Sequence, residues 1–232
     1  MEVANPKPHF YNNLFDGHVI SCSGEYSALC FAGAFSFEDG VRLTKARGEA
    51  MQAASDASES GMVAILGLDS AAVQEICDAA TFQSGEPLHI ANYLSAGNYA
   101  VSGGRAACLV ASQIAPTAGA RMAVPLAVAG AFHTDYMLPA VEPLRQALAT
   151  VNFNIPRIPV VSNVDSQAHF DASDIRDVLA RQVTSPVLWE RAMTDMTSSS
   201  SFQRAVELGP GTVCRGILKR MNKKIDVSSV QA

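Results

Sequence analysis

The chain has 232 residues, 48% of them hydrophobic and 17% charged, and a formal net charge of −5. That composition supplies apolar surface for one large domain or two smaller ones, and its acidic balance argues against a nucleic-acid binder. No apolar run approaches the ~18 residues of a membrane-spanning helix.

Along the chain, residues 1–15 are rich in Asn and Pro and predict a poorly ordered start. The first twenty residues have neither the apolar centre of a signal peptide nor the Arg/Ser-rich character of a transit peptide. Val19-Ile20 runs into the turn Ser21-Cys22-Ser23-Gly24. A helical stripe of Tyr26, Leu29 and Cys30 follows, with Gly33 as its stop. Ser36 is placed to cap a second helix, with Asp39 three residues on. That helix has an apolar stripe of Leu43, Ala50, Met51 and Ala54, and Arg47 falls on it.

Residues 61–128 predict a β-α-β-β-α-β unit of the ferredoxin-like kind. Its strands are Met62–Leu68, Leu88–Leu94, Tyr99–Ser102 and Arg121–Val128. The first helix is capped by Asp69 or Ser70, with Val73, Ile76, Cys77 and Ala80 inward. The second spans Arg105–Ile114, with Leu109 and Val110 inward. Beyond it come an amphipathic helix, Tyr136–Leu148 (Leu138, Val141, Leu144, Leu148), and an apolar strand, Ile158–Val164, of the kind buried on both faces. Helices at Ile175–Gln182 and Val187–Met196, a short strand at Ala205–Leu208 and a final helix complete the reading. Alternation of strands and helices indicates an α/β class. The expected domains are 16–60 with 129–232 as the core, and 61–128 inserted into it.

Three features point to chemistry. A strand turning sharply into a helix exposes one side chain and aims backbone N–H groups at what it attacks; counting back from Gly24 in the pattern Gly-x-Ser-x-Gly selects Cys22. Taken alone, with Ile20 in place of the first glycine, that stretch fits an ordinary loop with a buried cysteine better. His133, in Ala129-Gly130-Ala131-Phe132-His133-Thr134 at the end of a predicted strand, is placed to act as a general base, or is a structural histidine. Arg47 needs an anion if buried, either a protein carboxylate or a substrate's. No pair of histidines has metal-ligand spacing, and the five cysteines (Cys22, Cys30, Cys77, Cys108, Cys214) are scattered, never in a Cys-x-x-Cys pair.

Gly24–Leu29, Ala32–Asp39 and Arg47–Gln52 closely resemble malonyl-CoA:acyl-carrier-protein transacylases, and so do Ile90–Leu94 and Asn98–Gly103. The resemblance continues through Ala129–His133, Ile158–Val164, Arg181–Val187 and Glu207–Gly211, and its wording is most similar to plastid enzymes. It implies a partial α/β-hydrolase-like core with an inserted ferredoxin-like subdomain. It implies transfer of malonyl from coenzyme A to the phosphopantetheine thiol of acyl carrier protein, through an acyl-enzyme. The nucleophile position maps to Cys22, the base to His133, the malonyl-carboxylate ligand to Arg47, and the carbonyl orienting the base to Gln182. Malonyl-CoA and acyl carrier protein are the implied partners, with no cofactor, no metal, no nucleic acid and no membrane, in a monomer of the plastid stroma or mitochondrial matrix. Two departures stand out. Cys22 and Ile20 occupy positions where the family has serine and glycine, and residues 1–23 offer no counterpart to the family's first third, so N-terminal strands of the core are expected to be missing. A thioesterase-like hydrolase and an inactive, carrier-binding fragment remain open alternatives. Basic residues near the C-terminus (Arg215, Lys219 and Lys223 at successive i, i+4 spacings, with Arg220 and Lys224) offer a docking face for an acidic carrier, or simply complement a helix end.

Overall fold

The structure, a computed structural model, describes residues 23–199, 202–209 and 212–230. The expected poorly ordered start, the strand at Val19-Ile20 and Cys22 lie outside the described residues. The chain divides into two compact units, with the boundary between Ala192 and Met193.

The larger unit opens with α1 (Gly24–Phe31), which buries Glu25, Tyr26, Ala28 and Leu29. Gly33 follows with φ +80°, the left-handed conformation that glycine adopts freely at a helix end. Arg157 donates to the Phe31 carbonyl at 3.0 Å, satisfying a group the helix leaves open. Helix α2 (Phe37–Asp56) begins as its sequence indicates: the Ser36 hydroxyl accepts from the Asp39 N–H at 3.1 Å. Its buried stripe is Gly40, Leu43, Arg47, Met51, Ala54 and Ser55. Leu43 and Met51 share one core with Tyr26, Leu29 and Phe35, with Leu144 and Leu148 of α5 (Leu138–Ala149), and with Ile175 and Leu179 of α6 (Ala172–Arg181).

Between α2 and α5 lies the ferredoxin-like subdomain: β1 (Ser60–Leu66), α3 (Ser70–Ser84), β2 (Leu88–Ser95), β3 (Asn98–Gly104), α4 (Arg105–Thr117) and β4 (Met122–Pro125). The strands pair antiparallel in the order β2-β3-β1-β4. Asp69 caps α3 by accepting from the Ala72 N–H at 2.9 Å. One sheet face (Val63, Ile65, Leu88, Ile90, Val101) packs against α3 and α4 through Val73, Ile76, Ala107 and Ala111. The opposite face contributes Met62, Ala91 and Ala100, against which Phe132 packs. The sheet therefore shapes the loop that carries His133.

Four local expectations change. In α4 the inward residues are Ala107, Cys108, Ala111 and Ala115; Leu109 is exposed, because a tight helix–sheet seam takes small side chains. Leu138 is likewise exposed, since α5 starts only at that residue after a single 3-10 turn at Asp135–Met137. Strand β4 is shorter than expected, ending at Pro125. Ile158–Val164 is not a strand among the described residues: Val161 makes one antiparallel bridge with Ala168, and the chain turns back there. The Ser162 N–H donates to the Gln167 carbonyl at 2.9 Å and the Val164 N–H to the Ser162 hydroxyl at 3.1 Å, so these groups serve the turn instead of a ladder.

Helix α7 (Trp189–Thr197) spans the boundary, and the smaller unit continues with β5 (Arg204–Leu208), α8 (Val213–Met221) and β6 (Asp226–Val230). β5 and β6 pair in parallel, from Arg204 opposite Asp226 to Leu208 opposite Val230. Parallel strands require a crossover, which α8 supplies. The Glu207 carboxylate anchors the start of α8, accepting from the Cys214 and Arg215 N–H groups at 3.0 and 2.9 Å. Strand β6 has no counterpart in the sequence reading. The helix ends at Met221, so Arg215 and Lys219 lie on it and Lys223 does not.

Candidate active site

The site lies within the larger unit and is built from polar residues in an apolar setting. His133 is buried and has φ 63°, a conformation uncommon for a side-chain-bearing residue. The Ala131 N–H donates to the Ser60 hydroxyl at 3.0 Å, and the Ser102 hydroxyl donates to the Phe132 carbonyl at 2.8 Å. Gly130 is required by a close approach: a Cβ there would lie 2.5 Å from the Ser55 oxygen. The His133 N–H itself donates to the Val183 carbonyl at 3.1 Å.

The ring is oriented by a second contact with the same segment. His133 Nδ1 lies 2.8 Å from the Gln182 carbonyl oxygen. A carbonyl only accepts, so Nδ1 carries the proton, and a neutral ring presents Nε2 as its basic atom. The resemblance implies that His133 and Gln182 share one site, and these positions, 49 residues apart, are in hydrogen-bond contact.

Gln182 is fixed in turn by Glu25. Its side chain is fully buried, and its Nε2 donates to Glu25 Oε2 at 2.7 Å. The same carboxylate oxygen accepts from the Asn163 N–H at 3.1 Å and from Asn163 Nδ2 at 2.9 Å. Burial pushes the Glu25 carboxyl above its ordinary value of 4.5, and the hydrogen bonds from Asn163 and Gln182 pull against that rise. Neither Glu25 nor Asn163 carried a role in the sequence reading. The available signal was an acid in the first turn of an otherwise apolar helix, since such an acid is ordinarily solvated.

Arg47 is buried on α2 with its guanidinium 5.9 Å from the centroid of the Tyr26 ring, within cation–π range. Its Nε and Nη2 have no hydrogen-bond partner among the described residues, and neither does the Tyr26 hydroxyl. Burial also raises the Tyr26 hydroxyl pKa. Tyr26 follows Glu25 in the chain, so α1 links the cationic end of the site to the histidine end. The described cysteines, Cys30, Cys77, Cys108 and Cys214, are free, and burial pushes the Cys77 thiol up to about 12. Among the described residues no cluster of His, Cys, Asp or Glu could hold a metal, and no helix is long and apolar enough to cross a membrane.

No protein-family model matches the chain. A malonyl CoA-acyl carrier protein transacylase of Bacillus subtilis is 36% identical over 214 residues, covering 92% of this chain and 66% of the relative. That of Haemophilus influenzae is 36% identical over 223 residues, 96% of this chain and 70% of the relative. The chain belongs to the malonyl CoA-acyl carrier protein transacylase family. Its fold agrees: the crystal structure of an acyl carrier protein S-malonyltransferase from Vibrio cholerae superposes with a TM-score of 0.84 at 37% identity, over 89% of this chain and 67% of that one. A malonyl-transacylase solved in complex with a type II polyketide acyl-carrier protein gives 0.82 at 33% identity, over 90% and 66%. The fold is thus a partial α/β-hydrolase-like core with a ferredoxin-like subdomain. The chain spans about two thirds of the length of these transacylases.

Proposed function

We propose that this chain transfers a malonyl group from malonyl-CoA to the phosphopantetheine thiol of acyl carrier protein, with Cys22 as nucleophile, His133 as base and Arg47 as the malonyl-carboxylate ligand. The observation that carries it is the pairing of a carbonyl-oriented His133 with a buried arginine whose Nε and Nη2 donors are unpartnered among the described residues. His133 Nε2 removes the thiol proton of Cys22, and the thiolate attacks the malonyl thioester carbonyl. The tetrahedral intermediate collapses, coenzyme A leaves as a thiolate, and His133 returns the proton to it. The carrier thiol then repeats the step in reverse, freeing Cys22. A thiol at this position makes the intermediate a thioester, not the ester a serine would give. Gln182 supports the cycle through its carbonyl, which stabilises the Nδ1–H whenever the ring is charged. Arg47 selects malonyl over acetyl, because acetyl leaves the buried guanidinium unpaired.

The test is malonyl transfer by the 232-residue protein from malonyl-CoA to carrier bearing phosphopantetheine. Formation of malonyl-carrier, abolished by His133→Ala, supports the reading. Release of free malonate whether or not carrier is present would support a thioesterase-like hydrolase, and carrier binding without transfer a carrier-binding module. We further infer a monomer, with size-exclusion chromatography as the check, and no nucleic-acid or membrane partner; the acidic composition supports the absence of nucleic acid. The resemblance to plastid enzymes supports a plastid stroma or mitochondrial matrix location, checked by imaging a tagged gene product.

A further inference from the structure

We propose that Glu25 is a positioning residue that sets the tautomer and orientation of His133 through Gln182. The inference rests on the reading of His133 as the base. Gln182 is completely buried, its Oε1 has no partner among the described residues, and the hydrogen bond its side chain donates runs to Glu25 Oε2 at 2.7 Å. A buried amide with one strong tether takes its position from that tether. The main-chain carbonyl of this same residue, at the C-terminal end of α6, meets His133 Nδ1 at 2.8 Å. Glu25 is itself held by the Asn163 N–H and Nδ2, so it is a fixed post and not a mobile carboxylate. It also lies in the first turn of α1. One carboxyl therefore ties the start of that helix, the Asn163 turn and the carbonyl behind the base into a single unit. Other groups facing it are the Ser162 hydroxyl and, across a small cavity that Glu25 also lines, His169, which pairs with Asp165 at 3.0 Å.

The prediction is read directly from the His133 ring by nitrogen-15 NMR of the 232-residue protein, with His133→Gln assigning the signals. Wild type and Glu25→Gln, which keeps an oxygen acceptor at the same reach, show the Nδ1–H tautomer. Glu25→Ala shifts His133 toward the Nε2–H form and moves its titration midpoint, and Gln182→Met does the same from the other end of the bond. Malonyl transfer falls in kcat by roughly tenfold to a hundredfold in those two variants, the range seen when partners behind a metal-bound histidine are removed. If Glu25→Ala does not fold, Gln182→Met reads the same contact. A wild-type His133 signature in either folded variant would overturn the proposal, as would loss of that signature in Glu25→Gln. A His133 signature that responds to Glu25 in a protein that transfers no malonyl would leave the positioning intact and remove the functional reading instead.

Discussion

Two polar clusters are buried in the larger unit, and they are finished to different degrees. Around His133, Gln182 and Glu25, donors meet acceptors at 2.7–3.1 Å, and the backbone is held in an uncommon conformation to keep them there. Around Arg47 the protein has buried a charge whose Nε and Nη2 have no partner among the described residues. A network tied together by several short hydrogen bonds fixes geometry before any ligand arrives. An unsatisfied buried cation costs stability and is tolerable where a ligand completes it. Under the proposed function, the contrast separates a part of the site that orients chemistry from a part that recognises an acyl group.

The two clusters should break differently. His133→Ala should cost roughly 10²–10⁴-fold in malonyl transfer, the usual contribution of a positioned base, with thermal stability little changed. Arg47→Met should lower kcat/KM for malonyl by roughly tenfold to a hundredfold, the worth of a hydrogen bond to a charged group, and acetyl transfer should be spared. The same variant should melt higher than wild type without substrate, because it removes a buried charge whose Nε and Nη2 have no partner among the described residues; a lower melting temperature would mean that Arg47 is structurally paired. Gly130→Ala should cost about 1–3 kcal/mol of stability, since its Cβ would press on Ser55, and denaturant unfolding checks it.

The smallest effect concerns pH. Burial raises the Glu25 pKa above 4.5, so the folded state holds this proton more tightly than the unfolded chain does. Its contribution to stability is full below about pH 4.5 and is lost as pH rises through the folded value. Glu25→Gln removes that loss, so the melting difference between variant and wild type should move in the variant's favour from about pH 4 to about pH 8. A difference that is flat with pH would contradict the raised pKa.

Local rules made much of this legible in the sequence. The Ser36 and Asp69 caps, the stripe containing Arg47 and the ferredoxin-like order rest on short-range periodicity and side-chain hydrogen bonding, and they are found where the residues indicate them. Tertiary contacts decided the rest. Ile158–Val164 has the composition of an interior strand, but Ser162 turns the chain back on itself. Leu109 sits beside alanines that pack more closely than it can. Asp226–Val230 joins β5 only after a crossover, and nothing in its own five residues signals a partner. Glu25 shows the same limit at the site: its identity is plain in the sequence, but its role depends on Asn163 and Gln182, 138 and 157 residues away.

The central question is whether the oriented histidine and the buried Arg47 serve one acyl group. Intact mass spectrometry of the 232-residue protein after exposure to malonyl-CoA measures this, with Arg47→Met and His133→Ala alongside. Addition of one malonyl group to the wild type, reduced in Arg47→Met, absent in His133→Ala and reversed by carrier thiol, is the predicted result. No malonyl adduct in the folded wild type, or equal labelling of all three proteins, would contradict it.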